Sequence, residues 1–224
     1  MGCYGNKEVH TPNIDQLANA SMLFKRQYVA VPTCGASRAS ILTGMYPQTK
    51  IQIANNALEK TVSGKPSGKN PETFVEQFKR NGYYTVGIGK ISHSADGYLY
   101  EYDEERSNKL ELPNSWDEML FDAGKWKTGW NAFFGYQDGS SRTTKDKMVK
   151  PYEAGDCDDE GYVDGLTAKL ATEKIKMLAQ QKQPFFWVLV FLNPTCLLMR
   201  PKNIGICTRK MASHSRLRLL FLKP

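Results

Sequence analysis

An uninterrupted apolar run constrains the fold of this chain more than any other feature of its sequence. Every residue from Phe185 to Leu192 is apolar, and Pro184 stands directly before the run. The run is too short to cross a bilayer, and its length is typical of a strand that is covered on both faces. Apolar residues at helical spacing between Asp164 and Gln181 lead into it. This order predicts an α/β fold with a mostly parallel central sheet and helices on both faces.

The same order of helix and strand occurs earlier in the chain. A helix pattern opened by Pro71 and ended by Asn81-Gly82 precedes a β-rich stretch from Tyr83 to Ile88. The other expected elements are a helix after Thr11-Pro12, a strand near residues 23–30, a helix over residues 36–43 closed by Gly44, a helix capped by Asp164, and long loops over residues 95–160.

The net charge of +7 comes entirely from residues 195–224. That segment holds seven of the 30 basic side chains and no acidic one, which leaves 23 basic and 23 acidic side chains in residues 1–194. A neutral body gives no electrostatic reason to expect a nucleic-acid partner. The basic segment could be an arm that binds a polyanion. Alternatively, its charge is an accident of how the segment arose and serves no binding function.

The cysteines predict neither a zinc site nor a disulfide framework. Their spacing contains no CxxC pair, and five thiols are spread over the whole chain. No basic and then apolar leader follows Met1, so we expect no signal peptide in this sequence. The absence of low-complexity tracts favours a globular protein.

One short stretch carries the pattern of a nucleophile in an anion pocket. It runs from Cys34 to Gly44 as Cys-Gly-Ala-Ser-Arg-Ala-Ser-Ile-Leu-Thr-Gly, which places Cys34 near a helix N-terminus and Arg38 about one turn away. A buried structural cysteine beside a surface arginine is the simpler alternative for such spacing. A cysteine phosphatase loop is excluded, because it needs an arginine where this chain has Ser40.

These eleven residues resemble the signature of the sulfatase family, Cys-x-Pro/Ala-Ser-Arg followed by Leu-Thr-Gly. Further segments are similar to the iduronate-2-sulfatase-like branch of that family, and the resemblance covers roughly residues 2–194. They are Cys3-Tyr4-Gly5-Asn6, Thr11-Pro12-Asn13-Ile14-Asp15-Gln16-Leu17-Ala18, Asn81-Gly82-Tyr83, Gly89-Lys90-Ile91-Ser92-His93, Pro184-Phe185-Phe186 and Phe191-Leu192-Asn193-Pro194. The resemblance implies a three-layer, alkaline-phosphatase-like fold.

The resemblance also implies a chemistry and a set of site residues. In this family the cysteine, here Cys34, is oxidised to formylglycine by a formylglycine-generating enzyme and is also a metal ligand. One hydroxyl of the hydrated aldehyde attacks the sulfur of a sulfate ester and displaces the alcohol. The second hydroxyl then collapses the resulting hemiacetal sulfate to the aldehyde and expels sulfate. By resemblance, Lys90 contacts the sulfate, and His93 contacts the formylglycine diol or the sulfate. Charge on the sulfuryl oxygens is offset by Arg38, Lys90 and one divalent cation, usually Ca²⁺. The substrate is a sulfated carbohydrate or another sulfate ester.

Two acidic residues are candidate metal ligands that we interpret as structural. Asp15 and Asp164 both stand where helices are expected to start. The Asp-Asp pair that supplies metal ligands in the family is not found ahead of Cys3, and the later ligands are not found after residue 192. The sequence therefore predicts a fold that is incomplete at both ends and a polypeptide that hydrolyses sulfate esters poorly or not at all.

The basic segment departs from the family. Synonymous codons can be chosen for residues 195–209 that, read in the adjacent frame, give the family-like peptide His-Leu-Pro-Phe-Asn-Ala-Pro-Lys-Lys-Tyr-Trp-Asp-Leu-Tyr-Thr. We therefore expect residues 1–194 to form a partial sulfatase region and residues 195–224 to be a frameshifted tail outside the family fold. The alternatives are the non-catalytic product of a disrupted gene and an anion-binding protein that uses the basic tail. Family members are commonly exported, and the sequence leaves the location of this chain open.

Overall fold

The helices and strands of the chain are distributed along its whole described length. The computed structural model describes residues 1–146, 148 and 152–192, and the backbone of 198–201. The helices are α1 (Pro12–Asn19), α2 (Cys34–Thr43), α3 (Ala57–Thr61), α4 (Phe74–Arg80), α5 (Gly129–Phe133) and α6 (Val163–Leu178). The strands are β1 (Tyr84–Gly89), β2 (Glu118–Leu120), β3 (Tyr152–Gly155), β4 (Phe185–Val190) and β5 (Leu198–Pro201).

The main sheet is parallel, as the sequence predicts. Its strand order is β2-β1-β4, and Val86 at its centre pairs with Glu118 on one side and with Trp187 on the other. Within the described residues β1 is the central strand and β4 lies at an edge of this sheet. An apolar run reports that both faces of a strand are covered, and it carries no information on how many neighbours pair with its backbone.

Helices cover both faces of this sheet. On one face Leu42 of α2, Leu58 of α3 and Val75 of α4 pack into a cluster with alternate side chains of β4. On the other face Ala171 and Leu178 of α6 pack against the inward side chains of β1. The predicted three-layer α/β architecture is confirmed. Each fully buried aliphatic side chain in these clusters contributes about 1.5–3 kcal/mol to stability.

Three predicted details of individual elements are wrong. Residues 23–30 form no strand. Helix α4 begins at Phe74, three residues after Pro71, because the Thr73 side chain accepts a hydrogen bond from the Glu76 N–H and caps the helix there. Asp164 is not a cap either, since it is the second residue of α6 and its carboxylate accepts a hydrogen bond from the Leu192 N–H at 2.7 Å.

A second, two-stranded sheet lies outside the main one. In it β5 pairs with β3 in parallel, and Tyr152 is in register with Leu198. Residues 193–197 and 202–224 lie outside the described residues, so the boundary at residue 194 and the frameshifted origin of the tail stay predictions. Among the described residues, no helix combines the length and the apolar character that a membrane span needs.

Candidate active site

Cys34 is the first residue of α2 and its side chain is exposed. The residue before it, Thr33, has extended backbone and its carbonyl accepts the first helical hydrogen bond, from the Ser37 N–H at 2.8 Å. The helix ends at Gly44, whose φ of 68° lies in the left-handed region that glycine tolerates. Cys34 therefore lies where unpaired N–H groups and the helix dipole favour a negative charge.

Asn55 holds this end of the helix in place. Its Oδ1 accepts hydrogen bonds from the Gly35 N–H at 3.1 Å and from the Cys34 Sγ at 3.3 Å. A Cβ on residue 35 would lie 2.0 Å from the Asn55 carbonyl oxygen, so the close approach of the two segments requires glycine. Asn55 is not predicted from the sequence, because nothing in the motif around Cys34 points to a residue about twenty positions further along the chain.

His93 also contacts Cys34. Its Nδ1 lies 3.6 Å from Cys34 Sγ, and its ring packs edge-on against Trp130. Burial lowers the pKa of His93 from its ordinary value to about 4, and the positive charges of Lys90 and Arg38 lower it further than the nearby Glu111 raises it. His93 is therefore a neutral imidazole near pH 7 and offers one donor and one acceptor nitrogen.

Lys90 directly follows β1 and is almost completely buried. Its ammonium group donates a hydrogen bond to the His93 carbonyl oxygen and lies over the rings of Trp130 and Phe133, at 4.8 and 5.2 Å from their centroids. Strand β1 ends at Gly89, where φ is +84° and a Cβ would lie 1.9 Å from the Val190 carbonyl oxygen. The loop that carries Lys90 and His93 thus begins at the carboxyl end of the central strand, where α/β folds place their sites.

Arg38 connects α2 to this loop. Its Nη1 donates hydrogen bonds to the carbonyl oxygens of Lys90 and of Ile91, the latter at 3.1 Å. Burial lowers the pKa of Arg38, while the nearby Cys34 and Glu111 act in the opposite direction. The guanidinium stays protonated at any physiological pH. Arg38 therefore both brings positive charge to the site and fixes α2 against the end of β1.

The structure thus brings together the four side chains that the sequence analysis singled out. Cys34, Arg38, Lys90 and His93 form one connected cluster between the start of α2 and the loop after β1. A cavity of about 550 Å³ opens beside this cluster, and His93, Asn55 and Trp130 are among its walls. A nucleophile position flanked by two cations and a neutral imidazole, next to a cavity, suits transfer of an anionic group.

Known proteins that are similar to this chain identify its family. Residues 1–195 match the protein family described as Sulfatase. The chain belongs to the sulfatase family. Its identity is 28% to the iduronate 2-sulfatase of Mus musculus over 203 residues and 30% to an arylsulfatase of Clostridium perfringens over 225 residues. Both of these relatives are named as sulfatases.

The sulfatase relatives are much longer than this chain. The match covers 91% of this chain but 34% of the mouse iduronate 2-sulfatase, and 90% of this chain but 42% of the arylsulfatase. A shorter match to the human steryl-sulfatase is 38% identical over 92 residues and covers 40% of this chain. The chain therefore spans about a third of the length of the iduronate 2-sulfatases that it matches.

The described residues of this sulfatase chain do not fit the calcium ion that the family resemblance implies. Calcium takes six to eight oxygen ligands, usually including carboxylates. The one side-chain oxygen bonded to Cys34 is the amide Oδ1 of Asn55. Among the described residues, no three His, Cys, Asp or Glu side chains lie close enough together to hold a metal ion.

Asp15 makes structural hydrogen bonds at the start of α1. It lies in the first turn of α1, and its Oδ1 accepts hydrogen bonds from the Cys3 N–H at 2.6 Å and from the Thr11 hydroxyl at 3.0 Å. These bonds fix the start of α1 against the first residues of the chain. The interpretation of Asp15 as a helix-start residue is confirmed.

Proposed function

We propose that this chain carries the nucleophile-bearing part of a sulfatase that hydrolyses sulfate esters at Cys34. The observation that carries the proposal is the exposed Cys34 at the N-terminus of α2, with His93 Nδ1 at 3.6 Å and with Arg38 and Lys90 in the same cluster. A formylglycine-generating enzyme is the maturation partner, and formylglycine at residue 34 supplies a hydrated aldehyde whose hydroxyl is a nucleophile for sulfur.

The chain's own residues have three tasks in this proposal. The N–H groups at the start of α2 and the charges of Arg38 and Lys90 favour the anionic sulfate group over a neutral one. The neutral imidazole of His93 exchanges a hydrogen bond, and in turn a proton, with the group on the Cβ of residue 34. Asn55 orients that Cβ by holding the Gly35 N–H. No step of this proposal passes through a metal ion.

We further propose that the substrate is the sulfate ester of a carbohydrate. Two of the relatives are named iduronate 2-sulfatases, after a sulfated sugar. The cavity beside the cluster is large enough for a sugar ring and has aromatic and polar walls. These two observations favour a carbohydrate over a sterol, which would need a wholly apolar pocket.

We also propose that the 224-residue chain alone is a weak catalyst. Arg38 and Lys90 already donate hydrogen bonds to backbone carbonyl oxygens, so part of their capacity to bind sulfuryl oxygens is used within the protein. Each preorganised donor that is missing from a transition state typically costs about 10²–10³ in rate. We therefore expect slow turnover that nevertheless depends on Cys34.

An assay with an aryl sulfate tests the proposal on protein coexpressed with a formylglycine-generating enzyme. We expect mass spectrometry to find the aldehyde at residue 34 and slow hydrolysis that Cys34→Ala abolishes. Cys157→Ala is the matched control, because Cys157 lies outside the cluster, and it should change neither result. Equal turnover in Cys34→Ala, or the lack of any aldehyde at residue 34, would contradict the proposal.

A further inference from the structure

The cavity beside the Cys34 cluster has a strongly acidic lining. Four carboxyl groups line it, and the lining contains no Lys or Arg side chain; they are those of Glu59, Glu101, Glu104 and Glu111. The cations Arg38 and Lys90 are not among the residues that line the cavity, and both bond to carbonyl oxygens of the loop that carries His93.

Glu111 is the most constrained of the four acids. It is 2% exposed, and its Oε2 accepts a hydrogen bond from the Ser94 N–H at 3.0 Å. Among the described residues no donor is bonded to its Oε1, although the residue lines the cavity. Glu111 also lies near enough to Arg38 for their charges to interact. The cavity wall beside the site therefore carries the carboxyl group of Glu111.

Aromatic rings form much of the rest of the walls. Tyr98, Tyr100, Tyr102 and Trp130 line the cavity. Two of them are fixed by their own polar atoms, since the Trp130 Nε1 donates to the Tyr100 carbonyl oxygen and the Tyr100 hydroxyl donates to Asp96. Fixed aromatic faces offer apolar area to the C–H groups of a sugar ring at little entropic cost.

The chemistry of these walls selects among carbohydrates. An ionised carboxylate only accepts hydrogen bonds, so it binds a sugar hydroxyl, which donates one. A sugar carboxylate or a second sulfate group has no proton to donate and meets a like charge at these walls. The acidic walls therefore favour the binding of hydroxyl groups and disfavour the binding of additional anionic groups.

We propose that the alcohol portion of the substrate is a neutral sugar, so that this chain prefers the sulfate ester of a neutral saccharide to that of a uronic acid or a polysulfated saccharide. This inference rests on the proposed function for the position of the sulfate. The proposed preference differs from a specificity for iduronate, the sugar in the name of the mouse and human relatives.

A matched pair of substrates tests the inference. Glucose 2-sulfate and glucuronic acid 2-sulfate differ in a hydroxymethyl and a carboxylate group. We expect kcat/KM to be at least about tenfold higher for the neutral ester, as a like-charge contact of this kind requires. The preference should fall in Glu111→Gln, which keeps the acceptor for Ser94, and in the exposed double variant Glu101→Gln with Glu104→Gln.

A control variant outside the cavity and a saccharide-binding experiment complete the test. Glu105→Gln removes a neighbouring exposed acid that does not line the cavity, so it should leave the preference unchanged. Equal or better hydrolysis of the uronic acid ester, or an unchanged preference in both cavity variants, would overturn the inference. If neither ester is hydrolysed, the aryl sulfate assay decides the proposed function, and calorimetric titration with methyl glucoside and methyl glucuronide still tests this inference. Binding of the glucoside alone supports it, whereas equal binding, stronger glucuronide binding or no binding overturns it.

Discussion

At the scale of single residues, the site is defined by how its charges act on one histidine. His93 lies between the exposed Cys34 and the buried Lys90, and its pKa is lowered to about 4 from an ordinary value of 6.5. Burial is the largest cause, and the charge of Lys90 is the next. Between about pH 4 and pH 6.5, His93 is therefore mostly neutral in the folded chain and mostly protonated in the unfolded chain. The free energy of unfolding depends on pH in this range.

We predict that Lys90→Met raises the pKa of His93, because the variant removes a positive charge and leaves most of the burial unchanged. Titration of the His93 ring by NMR measures the shift. The stability that neutral His93 contributes is complete above pH 6.5 and is lost as the pH falls to about 4. In Lys90→Met this loss should cover a narrower pH range. An unchanged His93 titration would show that Lys90 does not act on the imidazole.

The second residue-scale prediction concerns Asn55. Asn55→Ala leaves the Gly35 N–H and the Cys34 thiol without their acceptor, so we expect the free energy of unfolding to fall by about 1 kcal/mol. Urea denaturation measures it. Asn56→Ala is the matched control, because the Asn56 side chain makes no cap hydrogen bond to α3. Equal losses in both variants would contradict the role of Asn55.

At the scale of secondary-structure elements, the position of the site depends on where β1 ends. Gly89 and Gly82 have nearly the same positive φ, 84° and 85°, but only Gly89 lies against the backbone of β4. A Cβ at residue 89 would lie 1.9 Å from the Val190 carbonyl oxygen, whereas a Cβ at residue 82 meets nothing within 4 Å. Substitutions at the two glycines therefore distinguish the cost of backbone strain from the cost of a steric clash between β1 and β4.

We predict that Gly89→Ala destabilises the chain by about 3 kcal/mol or more, because strain and a broken β1–β4 contact add together. Gly82→Ala should cost about 1 kcal/mol, from the left-handed backbone alone. Chemical denaturation of both variants measures the difference. A Gly89→Ala variant as stable as Gly82→Ala would show that β4 can move away from β1 without cost.

The sequence predicts elements that are specified locally and misses those that depend on distant contacts. The end of α2 before Gly44 follows from a helix-boundary signal, whereas its start at Cys34 lies two residues before the predicted range. The parallel pairing of β1 with β4 follows from the helix between them. Strand β2 was placed among loops, because three residues carry too little pattern to identify a strand. Asn55 and Glu111 reach the site through tertiary packing that no periodicity encodes.

At the scale of the whole molecule, the hydrophobic clusters of the described residues use side chains between Ala39 and Leu192. The charge of the chain is balanced over residues 1–194, and the excess of seven positive charges belongs to residues 195–224. Folding and net charge are therefore expected to depend on different parts of the chain.

We predict that removal of residues 202–224 leaves the midpoint of urea denaturation unchanged, because the clusters that stabilise the sheet do not require them. A chain ended before Pro184 is the matched control. It lacks β4, which pairs with β1 along six residues, and should lose cooperative unfolding. A large fall in the midpoint without residues 202–224 would show that the basic tail belongs to the folded domain.

Trp130 has a consequence for how this molecule can be observed. Of the four tryptophans in the chain, Trp130 lines the cavity and also packs against His93 and Lys90. A saccharide that enters the cavity would displace water from the indole and change its distance from a charged ammonium group. The emission of a single tryptophan, isolated by comparison with Trp130→Phe, would thus act as a built-in optical reporter that follows occupancy without any label.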